Sequence, residues 1–332
     1  MSVKLSIIIP LFNTEKWIGP MIDSILEQSF SSWELIIVDD GSTDNGKEIV
    51  LSYKDPRIIL IERDRFPKGA PTCRNIGFEH SSGQYIIFVD SDDLFVNDGL
   101  SKRVAMLDNY PDVDFGVSGC KAFIQGETLD DALNKSRYIY GAVKKNCDPL
   151  KLLLQSRYPF IVCTNIYRRD SLIKNDIKWD ETVKAFQDFN FNFNCLNKNL
   201  KYVSSEHPVI DYLYRVGHSN NNITSDFISE EKFQSAMYLI NQTLCDLSER
   251  IDSKIRIHQF VGFIANYLLR LAKSKDYKKC NCLIGTVGNR INHIDKSKLK
   301  FFVFVSHFIP SFKYKADILR FLILLIFGYK VG

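Results

Sequence analysis

No apolar run in this 332-residue sequence approaches the roughly 20 residues that a bilayer-crossing helix needs. A disulfide framework is missing too. The eight Cys, at 73, 120, 147, 163, 195, 245, 280 and 282, follow no framework spacing, as expected of reduced thiols. Cys280 and Cys282 form a C-x-C pair near His293, which lacks the spacing of a zinc ribbon. Met1 to Leu5 runs straight into a strand-like segment, so no secretory leader is expected. There is no internal repeat, and Asn220 to Asn222 is too short for a low-complexity tract. The first loop, Pro10-Leu11-Phe12-Asn13, contains no glycine-rich phosphate cradle. What remains is ordinary globular material, 45% hydrophobic and 25% charged, long enough for one large domain or two.

Charge is unevenly spread. Residues 270 to 332 hold 13 basic and 3 acidic residues, a net of +10, against 30 basic and 36 acidic in residues 1 to 269. The same tail carries Phe301-Phe302-Val303-Phe304-Val305 and an apolar run from Ile318 to Phe327. Such a composition predicts a monotopic membrane contact: apolar faces enter the headgroup boundary while Lys296, Lys298, Lys300, Lys313, Lys315, Arg320 and Lys330 meet anionic lipid. The alternative is a helix docked on the core or on a second copy, as in a homodimer. No nucleic-acid partner is expected.

Along the chain, apolar strands and amphipathic helices alternate. Leu5 to Pro10, Leu35 to Val38, Ile58 to Ile61 and residues 85 to 89 read as buried strands. A helix follows the first strand, with Asn13 or Thr14 as its N-cap and Trp17, Ile18, Met21, Ile22, Ile25 and Leu26 at helical spacing. Another spans about Pro71 to His80. Continuous apolar strands separated by helices predict an α/β, mostly parallel sheet covered on both faces, whose ligands bind beyond the carboxyl ends of the strands. Beyond Phe95 the pattern loosens, with candidate strands at 114 to 124 and 208 to 214. From about 226 to 275 it is helical, with packing stripes such as Phe233, Met237, Ile240, Leu244 and Leu247.

One run stands out: Ile86-Ile87-Phe88-Val89 ends in Asp90-Ser91-Asp92-Asp93. Three carboxylates at a buried strand tip repel one another and lose hydration unless a cation is present. Oxygen-only ligands suit Mg²⁺ or Mn²⁺, which commonly bridge a carboxylate to substrate phosphates. The competing reading is an acidic turn that caps the next helix. Asp39-Asp40-Gly41-Ser42-Thr43-Asp44 admits the same two readings.

Four motifs in order resemble the family 2 inverting glycosyltransferases of GT-A (Rossmann-like) fold. They are Ser6 to Glu15, Ile37 to Asp44, Arg74-Asn75-Ile76-Gly77 and Phe88 to Asp93. The resemblance covers about residues 1 to 220. It implies a catalytic domain over 1–222, with a nucleotide-sugar half at 1–110 and an acceptor half at 111–222, followed by a helical region over 223–332. It implies transfer from a UDP-sugar to a saccharide or lipid-linked oligosaccharide, in bacterial surface polysaccharide synthesis at the cytoplasmic face of the membrane. The donor residues it implies are Pro10, Phe12, Glu15, Asp39, Asp40, Arg74, Asp90, Ser91 and Arg215. Asp39 would read the base and Asp90 the ribose. Asp92 and His218 would serve an Mn²⁺ or Mg²⁺ ion, and Asp93 the acceptor. Thr164 to Arg169 matches a segment that shapes the acceptor side. The family commonly places its general base in a Glu-Asp pair about a hundred residues after the acidic motif. Here Gln187-Asp188 stands at that distance, so Asp188 is the expected base and Gln187 departs from the pattern. Two other readings stay open: a sugar nucleotidyltransferase, which the first loop disfavours, and an inactive nucleotide-sugar-binding subunit, which Gln187 favours.

Overall fold

The structure is a computed structural model that describes residues 3–96, 98–124, 126–135, 137, 139–216, 228–307 and 326. The chain opens β1 (Leu5–Leu11), α1 (Ile18–Leu26), β2 (Trp33–Asp39), α2 (Gly46–Ser52), β3 (Ile58–Glu62), α3 (Ala70–Glu79) and β4 (Tyr85–Phe88). It continues with β5 (Leu94–Phe95), α4 (Gly99–Asn109), β6 (Phe115–Val117), β7 (Gly119–Ile124), α5 (Leu129–Asn134), β8 (Ile139–Tyr140) and α6 (Pro149–Leu154). Then come β9 (Asn165–Arg168), α7 (Arg169–Lys174), α8 (Gln187–Asn197), β10 (Tyr202–Val203) and β11 (Ile210–Val216). Among the described residues, four helices follow: α9 (Glu230–Ser248), α10 (Ser253–Lys273), α11 (Tyr277–Val287) and α12 (His293–His307).

Two compact units result. The first comprises residues 1–147, 159–182 and 187–220; the second comprises 148–158, 183–186 and 221–332. In the first, a seven-stranded sheet runs β10-β6-β9-β4-β1-β2-β3, and a four-stranded sheet runs β5-β11-β7-β8. β1 pairs in parallel with both β2 and β4, and β2 with β3, while β9 runs antiparallel to β4 and β6. The large sheet is therefore mostly parallel. Six of the seven β1 residues are buried, as a strand covered on both faces requires.

Two local expectations need correcting. α1 begins at Ile18 after Trp17 and takes no side-chain cap; the Thr14 carbonyl accepts from the Trp17 and Ile18 amides instead. Asn13 and Thr14 are drawn into loop contacts described below. The segment 114–124 is not one strand: it breaks at Ser118, whose amide bonds the Thr164 carbonyl at 2.9 Å, and its halves join different sheets. A hydrophobicity pattern does not reveal such a change of partner.

α3 lies unusually close to β1. A Cβ on Gly77 would stand 2.4 Å from Ile8 Cγ2, so only glycine permits this approach. α4 is fixed by Arg103, fully buried, which donates to both Asp211 oxygens at 3.0 and 2.7 Å and to the Cys163 carbonyl at 2.8 Å. That fork anchors the start of β11.

The second unit is helical. α9 buries Phe233, Met237, Ile240, Leu244 and Leu247, and α10 buries Phe260, Val261, Ile264, Leu268 and Leu271. α6 packs on α10, where Ser156 just beyond α6 accepts from Asn266 Nδ2 at 2.7 Å. Among the described residues, no helix is long and apolar enough to cross a membrane.

Candidate active site

The carboxyl ends of β1, β2 and β4 lie side by side. Leu11 pairs with Asp39 in the β1–β2 register, the Asp40 amide bonds the Leu11 carbonyl at 2.8 Å, and the Val89 amide bonds the Ile8 carbonyl at 3.1 Å. Parallel pairing thus brings Pro10, Asp39 and Asp90 from three separate motifs to one edge. The loops are laced there. Thr43 donates its amide to Asn13 Oδ1 at 2.8 Å, and Thr14 Oγ1 donates to buried Ser91 at 3.0 Å. The Glu15 amide bonds Asp44 at 2.8 Å, and Glu15 in turn accepts the Asn45 amide at 3.0 Å. Phe12 extends beyond this edge, 44% exposed, with the Lys68 ammonium 3.7 Å from its ring centroid.

The acids divide into two groups. Asp39 is buried and accepts from the Gly41 amide at 3.0 Å and the Ser42 amide at 3.1 Å, in a turn that Gly41 completes with φ of +83°. A carboxylate has about four lone-pair sites, so these bonds leave it room for a further donor. Asp40 is buried against Arg63 at 2.6 Å and also accepts the Gly69 amide. Glu15 and Asp40, expected at the nucleotide, therefore bind neighbouring loops with their carboxylates.

The other group is Asp90, Asp92 and Asp93. Asp90 receives Arg74 Nη2 at 2.5 Å. Burial, and then the charge of Asp90, push the Asp92 carboxyl up to about 7. Asp93 was expected to meet the acceptor, and its placement contradicts that: it is fully buried, with its oxygens taken by the Tyr212 hydroxyl at 2.9 Å and the Arg215 amide at 2.8 Å. Burial holds its carboxyl well above the ordinary range. Its work is to fasten the acidic turn to β11. Tyr212 also receives the Asp90 amide at 3.4 Å, and Arg215 Nε donates to the Asp92 carbonyl at 2.6 Å. The Arg215 guanidinium lies between the rings of Trp17 and Phe123, at 4.1 and 4.3 Å, where burial lowers its pKa.

Arg74 and Asn75 explain the third motif. Asn75 bonds both backbone polar atoms of Trp179 and also Glu181 Oε1. Arg74, buried, stacks 4.3 Å from the Trp179 ring, and its Nη1 reaches Gln187 Oε1 at 3.4 Å. Its Nε is buried without a hydrogen-bond partner.

α8 starts at Gln187, with Asp188 in its first turn. Asp188 is half-buried and accepts the Val162 amide at 3.3 Å. Burial pushes its carboxyl up; Arg74 pulls it down and Asp90 opposes Arg74. The structure thus gathers Asp188, Arg74 and Asp90, although Asp188 lies 98 positions after Asp90 in the chain. His218 lies outside the described residues. Sequence reasoning missed Tyr212 and Trp179 as site-forming residues. Each joins a partner about a hundred positions away, which local periodicity does not record.

Asp92, with Asp90 two residues away, offers hard oxygen donors that would suit a divalent ion. Among the described residues there is no group of three His, Cys, Asp or Glu that could hold a metal by itself.

A Rossmann-like sheet with an acidic turn beyond its strand ends is the architecture of the GT-A glycosyltransferases. The chain belongs to glycosyl transferase family 2, whose family model matches residues 6–175. It is 30% identical over 248 residues to the poly(ribitol-phosphate) beta-N-acetylglucosaminyltransferase TarS of Staphylococcus aureus, covering 72% of this chain and 40% of that protein. It is 27% identical over 245 residues to the UDP-Glc:alpha-D-GlcNAc-diphosphoundecaprenol beta-1,3-glucosyltransferase WfgD of Escherichia coli, covering 71% and 91%. Its fold resembles that of S. aureus TarS 1-349 in complex with UDP-GlcNAc, with a TM-score of 0.67, 19% identity, and 96% and 90% of the two chains covered. It also resembles the mannosyltransferase PcManGT of Pyrobaculum calidifontis in complex with GDP-Man and Mn²⁺, with a TM-score of 0.57, 15% identity, and 99% and 86% covered.

Proposed function

We propose that the protein transfers a sugar, with inversion, from a UDP-sugar to a hydroxyl of a saccharide or lipid-linked oligosaccharide in surface polysaccharide synthesis. The observation that carries this reading is the convergence of Asp188 on the Arg74–Asp90 pair, which puts a carboxylate of raised pKa beside the donor turn. Asp188 removes the acceptor's proton as the oxygen forms its bond to the anomeric carbon. The bond from that carbon to the diphosphate breaks on the opposite side, and its electrons leave with the nucleoside diphosphate. Phe12 offers an exposed face to the base and Asp39 an acceptor for the uracil N3–H. Asp90 takes the ribose hydroxyls, and Pro10 and Ser91 line the donor edge. Asp92 would hold Mn²⁺ or Mg²⁺, with Asp90 beside it; bound there, the ion neutralises charge on the departing diphosphate. The S. aureus neighbour bound to UDP-GlcNAc supports the choice of donor, and the Mn²⁺ of the mannosyltransferase supports the metal.

The test is release of UDP from UDP-glucose, UDP-galactose and their N-acetyl forms, with and without Mn²⁺. Metal-dependent UDP release is expected; pyrophosphate exchange, or binding with no turnover on any acceptor, would overturn the assignment.

The catalytic domain over 1–222 and a membrane-facing region over 223–332 belong to the same proposal, with the enzyme on the inner face of the cell membrane. On α12, Ile294, Phe301 and Phe304 are 68%, 55% and 61% exposed, and Lys300 is exposed beside them. An apolar stripe edged by lysine suits an anionic bilayer surface. The doubly substituted F301S/F304S protein should sediment less with anionic vesicles than the unsubstituted chain. Equal sedimentation would remove α12 from the contact.

A further inference from the structure

Asp40 and Arg63 hold a loop whose purpose the reaction above leaves open. Arg63 donates its amide to the Asp39 carbonyl at 2.9 Å and its Nε to Asp40 Oδ1 at 2.6 Å, and the same carboxylate oxygen accepts the Gly69 amide at 3.1 Å. Fully buried Thr72 donates its hydroxyl to the Pro67 carbonyl at 2.6 Å. The backbone is thus pinned on either side of Lys68. What the pinned residue presents is an exposed ammonium, 3.7 Å from the ring centroid of Phe12. Phe12 follows Leu11, the register partner of Asp39. Sheet order decides which end of a nucleotide lies here. The strands run β4-β1-β2-β3, so the loop after β3 stands across Asp39 from the acidic turn after β4.

We propose that Lys68 selects the base: when a nucleotide is bound, its ammonium donates to uracil O4 while Asp39 accepts from N3–H. This rests on the reading of a UDP-sugar as donor, with Asp39 at N3–H. Uracil offers that donor and that acceptor on neighbouring ring positions. Cytosine inverts both, so it would turn a lone pair toward the Asp39 carboxylate and an amine toward the Lys68 ammonium. Mismatches of this kind leave polar groups unpaired in the site, the form of recognition that discriminates most sharply. The lysine stem suits the task as much as the charge does. Four methylenes carry the ammonium from the ring face to the rim of a base laid on Phe12, where a charge-assisted hydrogen bond replaces a weaker, exposed cation–π contact. A diphosphate contact is the competing role for such a cation. The sheet order disfavours it, since the acidic turn follows β4, at the other end of that row of strands.

The test compares the unsubstituted chain with K68M and K68R, measuring affinity for UDP and for CDP by calorimetry with Mn²⁺ present. Lys68 is exposed, so both variants should keep the fold. The two nucleotides carry the same diphosphate, and their affinity ratio therefore reads the base alone. The unsubstituted chain should bind UDP at least about tenfold more tightly than CDP. K68M should lose UDP affinity by about fivefold or more and CDP affinity by less than about twofold, while K68R, which keeps a charged donor, should fall between. Equal losses for both nucleotides in K68M would assign Lys68 to the diphosphate and overturn the proposal. Unchanged UDP affinity in K68M would overturn it too, as would equal affinity of the unsubstituted chain for UDP and CDP. An unsubstituted chain that binds no UDP at all would refute the donor reading, and this proposal with it.

Discussion

Asn75 clasps Trp179 by both of its backbone polar atoms: Nδ2 donates to the carbonyl at 2.9 Å, and Oδ1 accepts the amide at 3.0 Å. The two residues are 104 positions apart. The clasp fixes the indole on which Arg74 lies, and so sets the height at which the guanidinium meets Asp90. Asn75→Ala removes a buried donor and acceptor together and leaves two backbone groups unpaired. It should destabilise the protein by about 2–4 kcal/mol, taking ~1–2 kcal/mol for each group, and lower UDP affinity. Chemical denaturation and calorimetry read the two effects.

Asp188→Asn should reduce transfer by roughly 10²–10⁴-fold, the range a positioned general base supplies, while UDP binding stays within about twofold. In the unsubstituted enzyme the acid limb of kcat/KM should lie above the ordinary Asp value of about 3.9. The sign follows from burial, which favours the protonated form: base competence is lost as pH falls through the raised pKa. An acid limb in the ordinary carboxylate range would count against Asp188.

Gly77→Ala places a methyl group 2.4 Å from Ile8 Cγ2 and forces α3 away from β1. Overpacking of this kind costs about 1–3 kcal/mol. Because Arg74 and Asn75 ride on α3, donor affinity should fall along with the melting temperature. A stability loss with unchanged UDP binding would show that the tilt of α3 does not set the site.

Tyr212→Phe deletes the hydroxyl that donates to fully buried Asp93 and receives the Asp90 amide. The expected loss is about 1–3 kcal/mol, the penalty for a buried polar group deprived of a partner. The mid-point concentration of Mn²⁺ needed for activity should rise, since the acidic turn loses one of its fastenings to β11.

Arg103→Met leaves Asp211 buried without its fork of hydrogen bonds, and removing one member of a buried pair costs about 3–5 kcal/mol. The double variant R103M/D211L should recover a large part of that loss. Thermal melts of the single and double variants separate the fork's positional role from its gross electrostatics.

The parallel strands were legible because their apolar runs have few other uses, and the motifs at their carboxyl ends follow from strand order alone. Spacing in a known pattern pointed to Asp188, and the structure gathers that residue with Arg74 and Asp90. Asp93 was misassigned for a physical reason. An acid in an acidic run looks available until its cross-strand neighbour is known, and Tyr212 lies 119 positions away. The break at Ser118 was hidden in the same manner, since both halves of the run are apolar and only pairing partners distinguish them. The share of the second unit drawn from 148–158 and 183–186 carries no composition signal either, because short amphipathic segments read alike in either unit.

That discontinuity sets a schedule for synthesis. α6 ends at Leu154 and α10, the helix it packs against, begins at Ser253. Its buried leucines, Leu150, Leu153 and Leu154, therefore emerge from the ribosome roughly a hundred residues ahead of their cover. At about 5–20 residues per second, they wait on the order of 5–20 seconds before the surface that buries them exists. In that interval the α6 leucines lack their cover, and slowed translation between residues 155 and 252 should increase aggregation of the nascent chain more than an equal delay after residue 273.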